Sequence, residues 1–416
     1  KKDDFIENQR VFSHAFLTIA LVSAAFSAAL FVLSRPYAPE LTGHADGVAI
    51  LGLTSLIPFL DSLLIVPYAA LRMKRPVRKF ALYRLLQVIV GVAMNVLFVI
   101  YMGTGLVGVF WANIIASVFG ILIFLPEIIK YLRLEFDSKL FGQMLSFGLP
   151  TLPANFSAII LQVADKPILK ALTNYETVGI YSVNYKLGIP MMFLVTMFEY
   201  AWKPFYLSHY EDDDAKPLFA RVLTYFTLLS SVVFLVLSTF LPEIVNLPFI
   251  NGKFINPQYW EGLGIVPIIL AGYFFNGAFT HFAAGLYIHK KTGFLPVAFG
   301  IGAALNIALN FALIPVVGYI AAAWATLAAY LVSAVVLYFY ANKIYPLPYE
   351  WKRVFTIIST TILLYFASQL FVGNLTGYLQ LLAKAGIITL YFILLRLLKF
   401  FTPSEIRGIR RLFGRK

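Results

Sequence analysis

Residues 294–342 read FLPVAFGIGAALNIALNFALIPVVGYIAAAWATLAAYLVSAVVLYFYAN and contain no Asp, Glu, Lys or Arg. A run of about 20 apolar residues is long enough to cross the hydrocarbon core of a bilayer as an α-helix. This stretch therefore predicts two transmembrane helices, at 294–314 and 319–342, joined by a short turn.

Ten further stretches of the 416-residue chain have the same length and apolar character. They are 11–33, 48–71, 80–102, 106–126, 143–165, 178–200, 221–245, 262–287, 354–372 and 380–400. The gaps between them are too short to hold a separate soluble domain. The sequence therefore predicts an all-α polytopic membrane protein with twelve transmembrane helices in this chain.

The composition excludes a soluble enzyme. Hydrophobic residues make up 60% of the chain, charged residues 13%, and the mean hydropathy is +0.81. Soluble domains are about 45–50% apolar and about 25% charged. The chain has no cysteine, which excludes disulfide frameworks, thiolate metal sites and cysteine nucleophiles.

The net charge of +13 is distributed as in a membrane protein, which argues against nucleic acid as a partner. Of the 33 Lys and Arg residues, 26 lie in one set of alternating loops and 5 in the other. The basic set is 1–10, 72–79, 127–142, 201–221, 288–293, 343–353 and 396–416. Because cytoplasmic loops are enriched in Lys and Arg, we expect both termini of this chain in the cytoplasm.

A weak internal repeat predicts two related halves. Gly105 and Trp111 recur at the same spacing as Gly318 and Trp324, 213 residues later. Because this offset spans an even number of helices, the two halves are expected to share their orientation.

The repeat also predicts further helices outside this chain. Spans 143–165 and 178–200 have no counterpart before residue 10, and the chain starts with Lys rather than Met. We expect two preceding helices and fourteen in the intact protein. The alternative is a twelve-helix chain with an asymmetric first half.

Two stretches carry a family resemblance. Residues 306–326, NIALNFALIPVVGYIAAAWAT, resemble the signature of Wzx-like polysaccharide flippases of the multidrug/oligosaccharidyl-lipid/polysaccharide exporter superfamily. The second stretch comprises FGLP at 147–150, Asp165-Lys166, and VGIY at 178–181 with Tyr185-Lys186-Leu187. The resemblance extends over essentially the whole chain. Its motifs are moderately specific for the superfamily and poorly specific for substrate.

The resemblance implies two pseudo-symmetric six-helix lobes around a central cavity, with two additional carboxyl-terminal helices. Residues 1–142 would form the amino-terminal lobe, without its first two helices, and 143–342 the carboxyl-terminal lobe. Residues 343–416 would supply the two additional helices and a basic cytoplasmic tail.

The resemblance also implies a function. Such a protein flips undecaprenyl-diphosphate-linked oligosaccharide by alternating access across the bacterial or archaeal cytoplasmic membrane, driven by a proton or sodium gradient. It would supply O-antigen, capsule or exopolysaccharide synthesis, alongside a polysaccharide polymerase and chain-length proteins. It would be no enzyme and need no cofactor.

Three alternatives stay open. A multidrug or cation antiporter of the same superfamily would favour an acidic, aromatic cavity. A peptidoglycan-precursor flippase would have similar electrostatics. A membrane polysaccharide polymerase or glycosyltransferase would need acidic catalytic motifs or a large outer loop, whereas every predicted outer loop here is short.

A diphosphate crossing hydrocarbon needs fixed cations, and a sugar needs neutral hydrogen-bonding groups. Lys186 lies roughly 12 Å inside the span 178–200, at about 1.5 Å per residue, and either contacts diphosphate or forms a structural ion pair. Arg84 either receives the incoming diphosphate or extends to the membrane surface. Asn306 and Asn310 form a polar stripe suited first to interhelical hydrogen bonds and second to sugar contact.

Four further residues are candidates for coupling or gating. Asp61 is a carboxylate near the middle of its span, which fits either a coupling site or a static pair. Asp165 and Lys166 end the fifth span and are either gating residues or solvated interface charges. His281 is either a proton sensor or a packing histidine.

Two tempting features are assigned no site. Glu199 and the Trp202-Lys203-Pro204 stretch are interpreted as anchors at the cytoplasmic interface. The stretch 103–108 fits G-x-G-x-x-G, but it joins two membrane spans and is interpreted as a turn.

Cysteine accessibility will test the orientation, because the native chain lacks cysteine. Asp213→Cys should react with a membrane-impermeant maleimide only from the cytoplasmic side, and Gln258→Cys only from the outside. Intact cells and inverted vesicles provide the two sides. Labelling of both positions from the same side would contradict the predicted orientation.

Overall fold

A computed structural model describes residues 2–42, 47–73, 77–133, 137–149, 152–249, 252–373, 375–401 and 405. The α-helices are α1 Lys2–Ser34, α2 Ala38–Thr42, α3 Gly47–Met73, α4 Val77–Asn95, α5 Gly105–Tyr131, α6 Ser138–Gly148, α7 Leu152–Val163, α8 Asp165–Leu172, α9 Tyr175–Lys186, α10 Ile189–His209, α11 Ala215–Thr239, α12 Leu241–Asn246, α13 Val266–Phe282, α14 Ala284–Ile288, α15 Leu295–Val317, α16 Tyr319–Ile344, α17 Trp351–Ala367 and α18 Gly377–Leu397.

Shorter elements complete the backbone. The 3₁₀ segments are Arg35–Tyr37, Pro257–Ile265 and Thr292–Phe294, and the π-helical segments are Val96–Tyr101 and Ser368–Val372. Strands β1 Pro248–Phe249 and β2 Gly252–Lys253 pair antiparallel, with Pro248 opposite Lys253. The all-α class is confirmed.

Ten helical segments of the described residues are long and apolar enough to span a membrane, or eleven if α9 and α10 count as one bent span. They match eleven of the twelve predicted spans. The twelfth, 143–165, coincides instead with the shorter helices α6 and α7, and residues 150–151 between them lie outside the described part. The chain is thus a multi-pass membrane protein, while the counts of twelve and fourteen stay predictions.

The chain divides into two compact units, Lys1–Leu149 and Pro150–Lys416, called unit 1 and unit 2. In unit 1, α3 packs against α1 and α5, and α4 packs against α5. Aromatic contacts fill this core: Phe124 meets Tyr68 and Tyr83 edge-on, with ring centroids 4.7 and 5.1 Å away. Such edge-to-face geometry is the preferred one for aromatic pairs.

Hydrogen bonds join the first helix of unit 1 to the segment that follows α5. The backbone N–H of Asp137 donates to His14 Nε2 at 2.7 Å, and Asp137 also caps α6. Its carboxylate accepts from the backbone N–H groups of Leu140 and Lys139. Because the Leu140 bond stabilises the charged form, the pKa of Asp137 is lowered.

Unit 2 is built around α13, α15 and α16. Helix α16 packs against both α13 and α15, while α7 and α8 cover α15. Helix α11 contacts α17 and α18, which attaches the last two helices to this bundle. Lys384 of α18 donates to both carboxylate oxygens of Glu243 in α12 at 2.7 Å, an ion pair that fixes α18.

The repeated glycines have a common structural role. Gly105 begins α5 with φ of +57°, and Gly318 lies between α15 and α16 with φ of +74°. Left-handed backbone of this kind is accessible to glycine at little cost. The equivalent positions therefore both allow a tight turn before a long helix.

Small residues let α15 and α16 approach closely, and Gly302 is the critical position. A Cβ there would lie 2.0 Å from Ser333 Oγ and 2.8 Å from the carbonyl oxygen of Ala329. We predict that Gly302→Ala lowers the free energy of unfolding by about 1–3 kcal/mol, as overpacked sites do. Thermal unfolding of the purified protein measures it.

Gly300→Ala is the matched control on the same helix. A Cβ at Gly300 has nothing within 4 Å. The substitution should therefore be neutral or stabilise the helix by up to about 1 kcal/mol. Equal unfolding temperatures for the two variants would contradict the close packing of α15 on α16.

Candidate substrate and coupling site

Lys186 lies at a break in a membrane span. It ends α9, and α10 starts at Ile189 with its axis bent by 49°. Pro190 has no N–H to donate to the carbonyl of Lys186, so the helical ladder stops here. The bend leaves no room for a side chain at Gly188, because a Cβ there would lie 2.8 Å from Ile269 Cγ2.

The Lys186 side chain is exposed and makes no hydrogen bond or ion pair with the residues that the structure describes. A charge without a partner is costly in hydrocarbon, so it needs water or an anionic ligand. Of the two alternatives for Lys186, the structural ion pair has no partner among these residues.

Asp165 is fully buried at the start of α8 and has a specific partner. The hydroxyl of Tyr181 donates to Asp165 Oδ2 at 2.5 Å. The neighbouring Lys166 is half-buried, and its Nζ lies 4.9 Å from the centroid of the Tyr185 ring. The described structure therefore gives the two adjacent charges different partners, and Asp165 is not solvated.

Four buried tyrosines form a continuous cluster beside Asp165. Tyr181 and Tyr185 have ring centroids 5.7 Å apart on α9, Tyr185 and Tyr273 are 6.1 Å apart, and Tyr273 and Tyr330 are 6.3 Å apart. The cluster links α9, α13 and α16. Sequence reasoning missed it, because the three helices are far apart along the chain.

Asn306 and Asn310 are fully buried in α15. Asn306 Nδ2 donates to Thr326 Oγ1 of α16 at 3.4 Å, and Asn310 Nδ2 donates to Asn306 Oδ1 at 2.9 Å. Thr326 lies one turn before Tyr330 on α16, so these amides adjoin the tyrosine cluster. The bond from Asn306 joins α15 to α16, the bond from Asn310 lies within α15, and sugar contact stays a prediction.

His281 is fully buried among aromatic rings. It stacks on Trp202 with centroids 4.8 Å apart, and Tyr349 meets it edge-on at 5.9 Å. Neither ring nitrogen has a hydrogen-bond partner among the described residues. The described surroundings fit a packing histidine, and the role of proton sensor stays a prediction.

The remaining two candidates belong to unit 1. Asp61 is exposed on α3 and accepts a hydrogen bond from Ser117 Oγ at 2.5 Å. Helix α3 is continuous through its two internal prolines, Pro58 and Pro67. Arg84 is exposed on α4. Its Nη1 donates a hydrogen bond to Gln87 Oε1 at 3.2 Å, and its Cζ lies 5.5 Å from the centroid of the Tyr68 ring.

A polar cavity of about 230 Å³ in unit 2 was not predicted. Its charged lining residues are Glu199 and Lys203 on α10, and its neutral polar ones include Asn276 and Thr280 on α13. Both pairs have the i, i+4 spacing that places side chains on one helical face. That spacing is visible in the sequence, but it does not reveal that the two faces meet.

Comparison with known sequences decides the family. The profile of a family described as polysaccharide biosynthesis protein matches residues 2–251. The chain belongs to this family. No curated protein matches it in sequence.

Several solved structures have a similar fold. The lipid II flippase MurJ, in an inward closed conformation, superposes with a TM-score of 0.64 at 19% identity, covering 94% of this chain and 85% of that one. An outward-facing multidrug resistance MATE transporter of the MOP superfamily gives 0.62 at 11% identity, covering 80% and 78%. A MOP superfamily transporter from Pyrococcus furiosus, described as having a binding pocket of reverse polarity, gives 0.62 at 10%, covering 84% and 79%. The fold of this chain is therefore that of MOP superfamily flippases and transporters.

The hydrogen bond between Tyr181 and Asp165 should contribute measurably to stability. Tyr181→Phe leaves a buried carboxylate without this donor, at a cost of about 1–3 kcal/mol. Denaturation in nanodiscs should detect the loss. In the control, Tyr378→Phe, the hydroxyl that is removed belongs to a side chain that is 87% exposed, and the effect should be near zero. Equal losses in both variants would contradict the assigned role.

Proposed function

We propose that this protein is a flippase for undecaprenyl-diphosphate-linked oligosaccharide in polysaccharide biosynthesis. The observation that carries the proposal is Lys186, an exposed cation at the break of a membrane span with no counter-ion among the described residues. A diphosphate is the anion that such a site suits, because ionised hydrogen bonds to phosphate oxygens are strong. Membership of a polysaccharide biosynthesis family supports the same substrate class.

The break itself favours a binding role. Transporters commonly place substrate sites where a membrane helix is discontinuous, because the interrupted backbone and nearby charges can contact a polar ligand. Lys166 adds a second cation on the neighbouring helix α8. In this proposal the diphosphate contacts Lys186, and Arg84 receives it at the cytoplasmic side.

Asp165 is proposed as the coupling residue. A buried carboxylate next to a tyrosine hydroxyl can bind a proton or a sodium ion, and either event would alter the contact between α8 and α9. Asp61 is the corresponding candidate in unit 1.

Residues 1–142 and 143–342 would be the two lobes whose relative motion alternates access, in a cytoplasmic membrane with both termini on the cytoplasmic side. A polymerase and chain-length proteins would use the exported oligosaccharide.

Proteoliposomes with a fluorescent undecaprenyl-diphosphate oligosaccharide test the proposal. We predict that Lys186→Ala slows flipping by about tenfold or more, because a charge-assisted hydrogen bond contributes about 1.5–3 kcal/mol. Lys186→Arg should retain most activity. Lys343→Ala, which removes an exposed charge at the end of α16, is the matched control.

The same assay separates the alternatives. A lipid with a monophosphate in place of the diphosphate should be flipped poorly. Asp165→Asn should abolish acceleration by an imposed proton or sodium gradient and leave slow equilibration intact. Absence of flipping by folded protein, together with export of a cationic dye, would replace the proposal with a multidrug transporter.

A further inference from the structure

The polar cavity of unit 2 combines charged, neutral polar and aromatic groups. Its volume is about 230 Å³, and its walls come from α7, α10, α13, α14 and α15. Gln162, Asn276 and Thr280 contribute amide and hydroxyl groups to the lining. Ligand pockets typically have this combination of apolar walls and a few placed polar groups.

The two charges of the cavity are available to a ligand. Glu199 and Lys203 are four residues apart on α10, a spacing at which oppositely charged side chains usually pair. Here neither forms an ion pair or hydrogen bond with any residue in the described part of the chain. Lys203 Nζ instead lies 4.9 Å from the centroid of the Tyr287 ring.

Trp202 supplies a buried indole N–H donor. Its side chain lines the cavity and is only 2% exposed. Among the described residues, none accepts a hydrogen bond from its indole Nε1–H. A buried donor left without a partner costs about 1–3 kcal/mol, so a small shift of the indole that brings its N–H to a ligand oxygen would be stabilising.

We infer that this cavity binds one sugar residue of the transported saccharide, an inference that rests on the proposed function. Sugar hydroxyls both donate and accept, so they can bond simultaneously to the Glu199 carboxylate, the Lys203 ammonium and the neutral amides. The ring of Tyr287, which is 37% exposed, can pack against the apolar face of a pyranose ring. The site assigned to the diphosphate is Lys186, on a different helix.

A zwitterionic amino acid is the rival ligand, because its ammonium could pair with the Glu199 carboxylate and its carboxylate with the Lys203 ammonium. The rest of the lining favours a saccharide. An amino acid would use only the two charges of the cavity. Its binding would leave Gln162, Asn276, Thr280 and the Trp202 indole N–H without ligand partners, whereas sugar hydroxyls or the ring oxygen match each of these groups.

Tryptophan fluorescence can report binding at this cavity directly. The chain has five tryptophans, and Trp202 lines the cavity, so the other four are replaced with Phe. The replaced residues are Trp111, Trp260, Trp324 and Trp351. The full chain is placed in nanodiscs free of glycolipid and of sugar-headed detergent, since a sugar head group would compete.

The probes are glucose, N-acetylglucosamine and N,N′-diacetylchitobiose, with inorganic pyrophosphate and alanine as contrasts. We expect saturable quenching by at least one sugar and none by pyrophosphate. Glu199→Gln and Lys203→Gln should each weaken sugar binding by about tenfold, the effect of losing one charge-assisted hydrogen bond. Glu176→Gln, an exposed carboxylate on α9, and Lys216→Gln on α11 are the matched controls and should have no effect.

Other outcomes would overturn the inference. These are the absence of saturable quenching by any sugar, a response to alanine alone, or sugar affinity unchanged in both cavity variants. Thermal unfolding of each variant establishes that it is folded. Sugar binding without lipid flipping would reject the proposed function and retain a saccharide site. Flipping without sugar binding would reject the saccharide site alone.

Discussion

The hydrocarbon core of a bilayer offers no hydrogen-bond partner to a peptide group, so a chain that crosses it must satisfy its own backbone. Long continuous helices meet this requirement, and any interruption needs local compensation. At the break between α9 and α10, the N–H of Leu187 donates to the carbonyl of Asn184, and that of Gly188 to the carbonyl of Tyr185. Asn184 Nδ2 in turn donates to the carbonyl of Tyr259, which anchors the end of α9. Because the break is supported in this way, it can place a lysine within a membrane span.

Two kinds of charged side chain in unit 2 have different surroundings. Asp165 with Tyr181, and Lys384 with Glu243, are paired at hydrogen-bond distance, and these contacts join helices. Pairing of this kind is what makes a buried charge tolerable. Lys186, Glu199 and Lys203 are charged side chains without such pairing among the described residues, and two of them line one cavity. The paired groups therefore hold neighbouring helices together. The three unpaired charges are the positions at which we propose ligand contacts.

The candidate site could be predicted from the sequence only in part. Lys186 was recognisable because a charge within an apolar run is rare and costly. The position of Glu199 and Lys203 in the wall of one cavity was missed, since charges near the end of a span usually reach the membrane surface. Asp165 was expected at the end of a span, next to an outer loop. The structure instead buries it at the start of α8, because Tyr181 reaches it from α9.

The sequence by itself determined the membrane class, the position of most spans and the turns at Gly105 and Gly318. Hydropathy decides these features because partition into hydrocarbon depends on composition and length along the chain. Tertiary structure alone decided that 178–200 bends at Gly188, that 143–165 coincides with α6 and α7, and that α10 and α13 turn their polar faces to one cavity. Such features depend on which helical faces meet. The periodicity of one helix does not specify its neighbour, so only packing between distant segments could bring these residues together.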